Sequence, residues 1–283
     1  MLDHAELQVR RAHEKSLYDG TGEDRVVEVV EKLLDAICPA ILDLRPTMDE
    51  LNAALGYVAK LSELDVRLMS WAFGINQIVE DLNSPLGPDA TVNTVQGPFH
   101  IADAPTTDSG APIGLIEADA DILVMDGIVR DLAGQALAGV ELDIWCADRN
   151  GEYSQFAPNI PDFNNRAKIR TNADGSYRIV TEMPQPYALI GECKLLLERM
   201  GRQIWRPRHV HFMIDHPGFE SLITQVYFTG DDYTSNDCVI GVKDGLLTEL
   251  KRVDDPKLGF DRPVLVAHYD FALQPAAKAE QAA

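Results

Sequence analysis

The stretch WRPRHVHFMIDHPGFESLITQVYF, Trp205 to Phe228, holds two short runs rich in β-branched and aromatic residues, HVHFMI and LITQVYF, around a DHPG turn. Runs of that composition, bounded by Pro and Gly, read as strands. Four more lie outward from them: ILVMDGIVRD, VELDIWCAD, SYRIVTEM and VLVAHYDFAL, with turn chemistry such as NADGS at 172–176 between them. Successive short strands favour a β-sandwich over a parallel α/β sheet. Upstream the texture is different. Residues 1 to 83 read as helices: EDRVVEVVEKLLDAI spaces Val26, Val27, Val30, Leu33, Leu34 and Ile37 at helical intervals, and Thr47 with Glu50 forms a capping-box pattern. Ser84 to Gly114, rich in Pro, Gly, Thr and Asp, reads as a linker or a set of long loops. The expected fold class is mainly β with an α-helical N-terminal domain, divided into a helical and linker domain over 1–100 and a β-sandwich catalytic domain over 101–283.

Of 283 residues 46% are hydrophobic, enough for a substantial core. Acidic residues number 45 against 25 basic, a formal charge of -20, which argues against nucleic acid as a partner. Cys38, Cys146, Cys193 and Cys238 are scattered without CxxC spacing, against both a disulfide framework and a cysteine zinc site. The N-terminus has no signal-peptide pattern and no apolar run reaches membrane-spanning length, so a cytoplasmic, reducing setting without membrane insertion is expected.

His209 and His211 stand two apart in a strand, so both rings point to one face. Two imidazoles suit zinc, copper, nickel or iron, and the remaining ligands decide. The carboxylate of an H-x-D/E pair is missing, and Asp215 lies in the DHPG turn region, where it can simply cap the turn. Tyr153, in GEYSQF, and Tyr187, in PQPYAL, are the other candidates. Two phenolates with two neutral imidazoles would stabilise a trivalent iron and leave room for a bidentate anionic substrate.

Tyr153, Tyr187, His209 and His211, in that order and embedded in GEYSQF, PYAL and RPRHVHF, resemble the metal ligands of the intradiol ring-cleavage dioxygenases. The resemblance runs through TVQGPFH, NADGSYRI, GVKDGL and AHYDFAL, and is strongest to the hydroxyquinol branch, with GPFH where catechol enzymes carry GPLY-like segments. It implies an Fe(III) cofactor, with Tyr153 the phenolate that stays and Tyr187 the one that leaves when substrate arrives and takes a proton. Arg206 would stabilise developing charge, and Gln225 matches the pocket glutamine. Implied substrate contacts are Ile78, Asp81, Val95, Gln96, Gly97, Pro98, Phe99, Cys238 and Val239, with Asp81 accepting a hydrogen bond from a third ring hydroxyl. Gln96 stands where the hydroxyquinol branch carries a larger apolar or aromatic residue.

The implied reaction is cleavage of hydroxyquinol by dioxygen to 3-hydroxy-cis,cis-muconate, equivalent to maleylacetate. Catechol or a chloro- or methylcatechol is the alternative substrate. The resemblance also implies a homodimer through the N-terminal helices, with phospholipid at the interface. Competing readings are a β-sandwich binding module with packed histidines and a zinc hydrolase, the latter short of a third conventional ligand.

Overall fold

The computed structural model describes residues 3–83 and 87–276. The chain divides into two compact units, Met1–Leu61 and Ser62–Ala283. The first contains α1 (His4–Lys15), α2 (Asp24–Leu44) and α3 (Met48–Val58). Asp3 with Glu6 and Thr47 with Glu50 close reciprocal capping boxes at the starts of α1 and α3, satisfying N-terminal amides that no helical carbonyl reaches. Buried Arg11 of α1 donates to Glu31 (2.7 Å) and Asp35 (3.2 Å) of α2, tying the two helices. The apolar face of α2 is only half covered: Val27 and Leu34 are half-buried, whereas Val26, Val30, Leu33 and Ile37 are exposed.

The second unit begins with α4 (Glu63–Ala72) and α5 (Ile75–Asn83). From there to the first strand the described residues form only isolated bridges, Thr106 to Lys168 and Pro112 to Val180, as the Pro- and Gly-rich texture anticipates. The strands are β1 (Ile122–Asp131), β2 (Glu141–Cys146), β3 (Arg166–Arg170), β4 (Ser176–Glu182), β5 (Tyr187–Ala188), β6 (Trp205–Arg206), β7 (His209–Asp215), β8 (Leu222–Phe228), β9 (Leu247–Thr248), β10 (Lys251–Val253), β11 (Val264–His268) and β12 (Phe271–Leu273). One sheet runs β10-β11-β1-β12 with β4 also on β1; the other runs β3-β2-β7-β8-β9, and β5 pairs β6 alone. Leu123, Met125, Ile179 and Phe271 of the first sheet meet Leu142, Ile144, Phe212, Val226 and Phe228 of the second in one core cluster. This is the expected sandwich.

One element departs from the strand-only expectation. GECKLLLER forms α6 (Gly191–Arg199) between β5 and β6. Its start is held from a distance in sequence: the Asp65 carboxylate of α4 accepts from the Glu192 amide at 2.8 Å. Leu197 and Cys193 of α6 then pack with Leu68, Trp71 and Ala72 of α4. Cys193, Leu196 and Leu197 carry the three-and-four spacing of a short helix, and α4 covers that face.

Candidate metal centre

The site grows from the two faces of β7. Val210, Phe212 and Ile214 alternate into the core between the sheets, so His209 and His211 emerge on the opposite face. On that face, register sets Trp145 of β2 and Gln225 of β8 beside His211, and Tyr227 beside His209. The loop after β2 delivers Tyr153, and β5 delivers Tyr187, paired in register with Arg206 of β6. All four expected ligands therefore meet. Tyr153 Oη lies 3.2 Å from His211 Nε2 and 3.4 Å from His209 Nε2, and the two Nε2 atoms are 3.0 Å apart. The Tyr187 ring stands 5.5 Å from that of Tyr153 at 89° and 5.7 Å from that of His209.

Three buried donor atoms within 3.4 Å of one another suit a shared cation. A separation near 3 Å is what two ligands of one metal ion show when each bond is about 2.0–2.1 Å. The tautomer agrees. His209 Nδ1 sits 2.7 Å from the Pro207 carbonyl, which only accepts, so Nδ1 carries the proton and Nε2 keeps its lone pair. His211 Nδ1 has no partner among the described residues, and its ring is oriented instead by stacking on Trp145 at 4.7 Å and 9°. Burial, then the nearby Arg206 charge, pulls His209 down to about 3; burial and its neighbour His209 hold His211 well below the usual range. Both rings are neutral, the form a metal requires. Burial pushes the Tyr153 and Tyr187 phenols upward, a preference that a bound cation inverts. Among the described residues no group of three or more His, Cys, Asp or Glu side chains is placed to hold a metal ion, and the oxygen atom beside the two histidine Nε2 atoms is the Tyr153 phenol. The set fits a hard, trivalent iron.

Arg206 is 3% exposed and aimed by its partners. Nε and Nη2 bind the two Asp237 oxygens at 3.1 and 2.9 Å, and Nη2 also reaches Gln225 Oε1 (3.0 Å) and Tyr227 Oη (2.9 Å). Nη1 is left facing the metal-side atom of His209, 3.4 Å from Nε2. Burial alone would raise the Asp237 carboxyl, but Arg206 outweighs it and the carboxyl sits below its ordinary value. Gln225 is fully buried and donates to the Val95 carbonyl, which anchors the loop that follows.

That loop reaches the site as expected. Gly97, at φ +75°, passes so close that a Cβ would lie 3.3 Å from His211 Cε1. Phe99 stacks on Tyr153 at 4.4 Å and meets Tyr187 edge-on. Gln96 and Pro98 are half-buried, and Val95, Cys238 and Val239 are buried together in one cluster. Ile78 and Asp81, by contrast, are not brought to the site. Ile78 is 62% exposed, and the Asp81 carboxylate is exposed and paired with Lys243 at 2.7 Å. The inward contact of α5 is made by Gln77, which donates to the Val239 carbonyl at 2.6 Å; Ile78, about 100° further round the helix, turns outward, and Asp81, one turn beyond Gln77, is taken up by Lys243. The wall beside Val95, Cys238 and Val239 comes instead from α4, through Leu68, Trp71 and Ala72. Trp145, Asp237, Trp71 and Arg166 were not singled out in the sequence. Alternation along β2 puts Trp145 on the His211 face, but nothing local marks the others.

Comparison with known proteins shows the family. The Dioxygenase_C family, described as a dioxygenase, matches residues 95–275. A hydroxyquinol 1,2-dioxygenase of Rhizobium sp. (strain MTP-10005) is 32% identical over 83% of this chain and 84% of its own. A chlorocatechol 1,2-dioxygenase of Pseudomonas sp. (strain P51) is 36% identical over 81% and 91%. The crystal structure of hydroxyquinol 1,2-dioxygenase from Pseudomonas putida DLL-E4 superposes with a TM-score of 0.88 at 26% identity, covering 97% of this chain and 100% of that one. With a family match over more than half its length and such relatives along most of it, the chain belongs to the intradiol ring-cleavage dioxygenases, oxidoreductases that use non-haem Fe(III) to open catechol-type diols.

Proposed function

We propose that Tyr153, Tyr187, His209 and His211 hold Fe(III) and that the chain cleaves a catechol bearing an apolar ring substituent, such as a chloro- or methylcatechol. The convergence of Tyr153 Oη and the two Nε2 atoms within 3.4 Å carries the metal assignment. When bound, ferric iron takes both diol oxygens and makes the ring reactive toward dioxygen, both atoms of which enter the product. The chain's own residues manage protons and charge. Tyr187 would be the ligand to give way to substrate and would accept a diol proton on its phenolate oxygen, with Arg206 its register partner across β5 and β6. Arg206 Nη1 faces the reacting centre with its other nitrogens already committed, a preorganised cation for developing negative charge. Phe99 and Trp145 cover the tyrosine and histidine rings and exclude water.

The substrate preference rests on the wall beside the site. Leu68, Trp71, Val95, Cys238 and Val239 form one buried apolar cluster, and the carboxylate expected to read a third hydroxyl is outside it. A polar hydroxyl facing that wall would lose its hydrogen bond, whereas chlorine or methyl would gain contact. Hydroxyquinol is the second reading, favoured by the GPFH segment at 97–100. Oxygen uptake and product identification with 3- and 4-chlorocatechol, methylcatechols, catechol and hydroxyquinol separate the two. Hydroxyquinol turning over fastest would reverse the preference. The purified iron protein should be red from tyrosinate-to-ferric charge transfer and should lose that colour in Tyr153→Phe; a colourless wild type with no bound iron would return the chain to a binding module.

The exposed Val26, Val30, Leu33 and Ile37 face of α2 is a surface for a second copy of the chain. A groove of about 660 Å³ lined by Leu7, Cys38, Ile41, Leu42, Met48 and Leu51 suits a phospholipid acyl chain. The cysteines of the described residues are all free, in keeping with a reducing cytoplasm, and no helix there is long and apolar enough to cross a membrane.

A further inference from the structure

Between β8 and β9 the chain passes directly over the Arg206 guanidinium, and it does so at buried Gly241, where the run GVKDGL opens. A Cβ on Gly241 would lie 2.7 Å from Arg206 Nη2, 2.8 Å from Tyr227 Oη and 3.0 Å from Asp237 Oδ2. The first two separations are well inside van der Waals contact. The φ of Gly241 lies outside the left-handed region, so conformation does not call for glycine there. Space does.

The segment leading to it is held on both sides of its backbone. The Val239 amide donates to Asp237 Oδ1 at 3.3 Å, the Ile240 amide to the Asp237 carbonyl at 3.0 Å and the Gly241 amide to Asp237 Oδ2 at 2.9 Å. The carbonyls are used as well: Cys238 accepts from Arg202 at 3.1 Å, Val239 from Gln77 at 2.6 Å and Gly241 from the buried Thr94 hydroxyl at 2.8 Å. In the middle sits Ile240 at φ +57°, the only β-branched residue in the left-handed region among the described residues. Such residues adopt that region least readily, and the Ile240 side chain is 52% exposed, so its burial does not account for the strain. Strain of this kind persists where surrounding bonds over-determine the backbone. Here they turn three successive amides onto Asp237, whose carboxylate in turn grips Arg206 Nε and Nη2.

We propose that Gly241 is a positioning residue for Arg206: its bare α-carbon lets the loop close on the guanidinium and keeps Nη1 aimed at the metal side of His209. This rests on the charge-stabilising role read above for Arg206. A side chain at 241 would displace the guanidinium, the Tyr227 hydroxyl or the Asp237 carboxylate. All three belong to the one network that aims Nη1.

The test compares wild type, Gly241→Ala, Arg206→Gln and the double variant, each as the full chain. With iron loaded and catechol and 4-chlorocatechol as substrates, Gly241→Ala should lower kcat roughly tenfold or more while KM moves less than about threefold, because the misplaced charge is one needed in the transition state. A raised KM at unchanged kcat would mean that the methyl disturbs only the wall at Cys238 and Val239, and it overturns the proposal. Wild-type kinetics overturn it too. Arg206→Gln is shorter and vacates the Nη2 position. In the iron-free chain the fall in Tm caused by the methyl should therefore shrink by about half or more in the Arg206→Gln background, and an equal fall in both backgrounds overturns the proposal. If Gly241→Ala does not fold, a folded double variant upholds the proposal and an unfolded one overturns it. If only Arg206→Gln does not fold, the split between kcat and KM decides alone. Arg206→Gln turning over as fast as wild type overturns the role read for Arg206 and this proposal with it. An impaired Arg206→Gln beside an unimpaired Gly241→Ala overturns this proposal only.

Discussion

Replacing Asp237 with Asn should unfold the catalytic unit at a markedly lower temperature. Asp237 and Arg206 are 2% and 3% exposed and meet at 2.9 Å, so the substitution leaves a guanidinium buried without its counter-charge. Breaking one side of such a pair costs about 3–5 kcal/mol. For a unit of about 220 residues each kcal/mol moves Tm by about 2–4 °C, giving a drop of roughly 6–20 °C. The pH dependence has a definite sign. The carboxyl is depressed in the folded protein, so its contribution is full above its unfolded value of about 3.9 and fades as pH falls through the folded one. The Tm gap between wild type and Asp237→Asn should therefore narrow below about pH 4.

A double variant, Arg206→Met with Asp237→Leu, separates charge from geometry. Tyr227 Oη still donates to Gln225 Oε1 at 2.7 Å without Arg206, so removing both charges strands neither of those groups. The double variant should recover much of the lost Tm while remaining inactive. Asp237 also accepts from the Gly241 amide at 2.9 Å and the Val239 amide at 3.3 Å, which offers the competing explanation. A double variant as unstable as the single would place the cost in those lost loop bonds, and a single variant within about 2 °C of wild type would refute the ion-pair reasoning altogether.

Gly97→Ala should weaken iron retention and cut turnover at least tenfold, because its Cβ would crowd His211 Cε1 at a φ of +75°; unchanged iron content would show that the loop gives way. Asp81→Ala should leave the order of substrate preference unchanged, since the carboxylate is exposed and its partner is Lys243; a loss confined to hydroxyquinol turnover would bring α5 back to the site. Leu33→Glu, on the exposed face of α2, should shift a dimer to monomer in sedimentation at micromolar concentration, and an unaltered sedimentation coefficient would move the interface elsewhere.

Much of the site was legible because its signals are local or periodic. Two histidines in a strand share a face whatever surrounds them, and the capping boxes at Asp3 and Thr47 are written within four residues. Short strands with turn chemistry between them specified a sandwich. The elements that escaped depend on partners distant in the chain. Helix α6 has its first turn held by Asp65, more than a hundred residues away, and its buried face covered by α4. On α5 it is Gln77 that finds the Val239 carbonyl and Lys243 that takes the Asp81 carboxylate, contacts across the chain that the three-residue spacing of Ile78 and Asp81 does not contain.

By itself the sequence determined the donor types, their order and the face on which the histidines emerge, since residue chemistry and the two-residue strand period need no tertiary context. Tertiary structure decided which side chains complete that site. Trp145 against His211 and Asp237 on Arg206 join residues 66 and 31 positions apart, and only the folded chain brings them within contact. A charge has a cost and a purpose only once its surroundings are known. Arg206 is one arginine among many in the chain and becomes half of a buried ion pair only when the fold brings Asp237 to it.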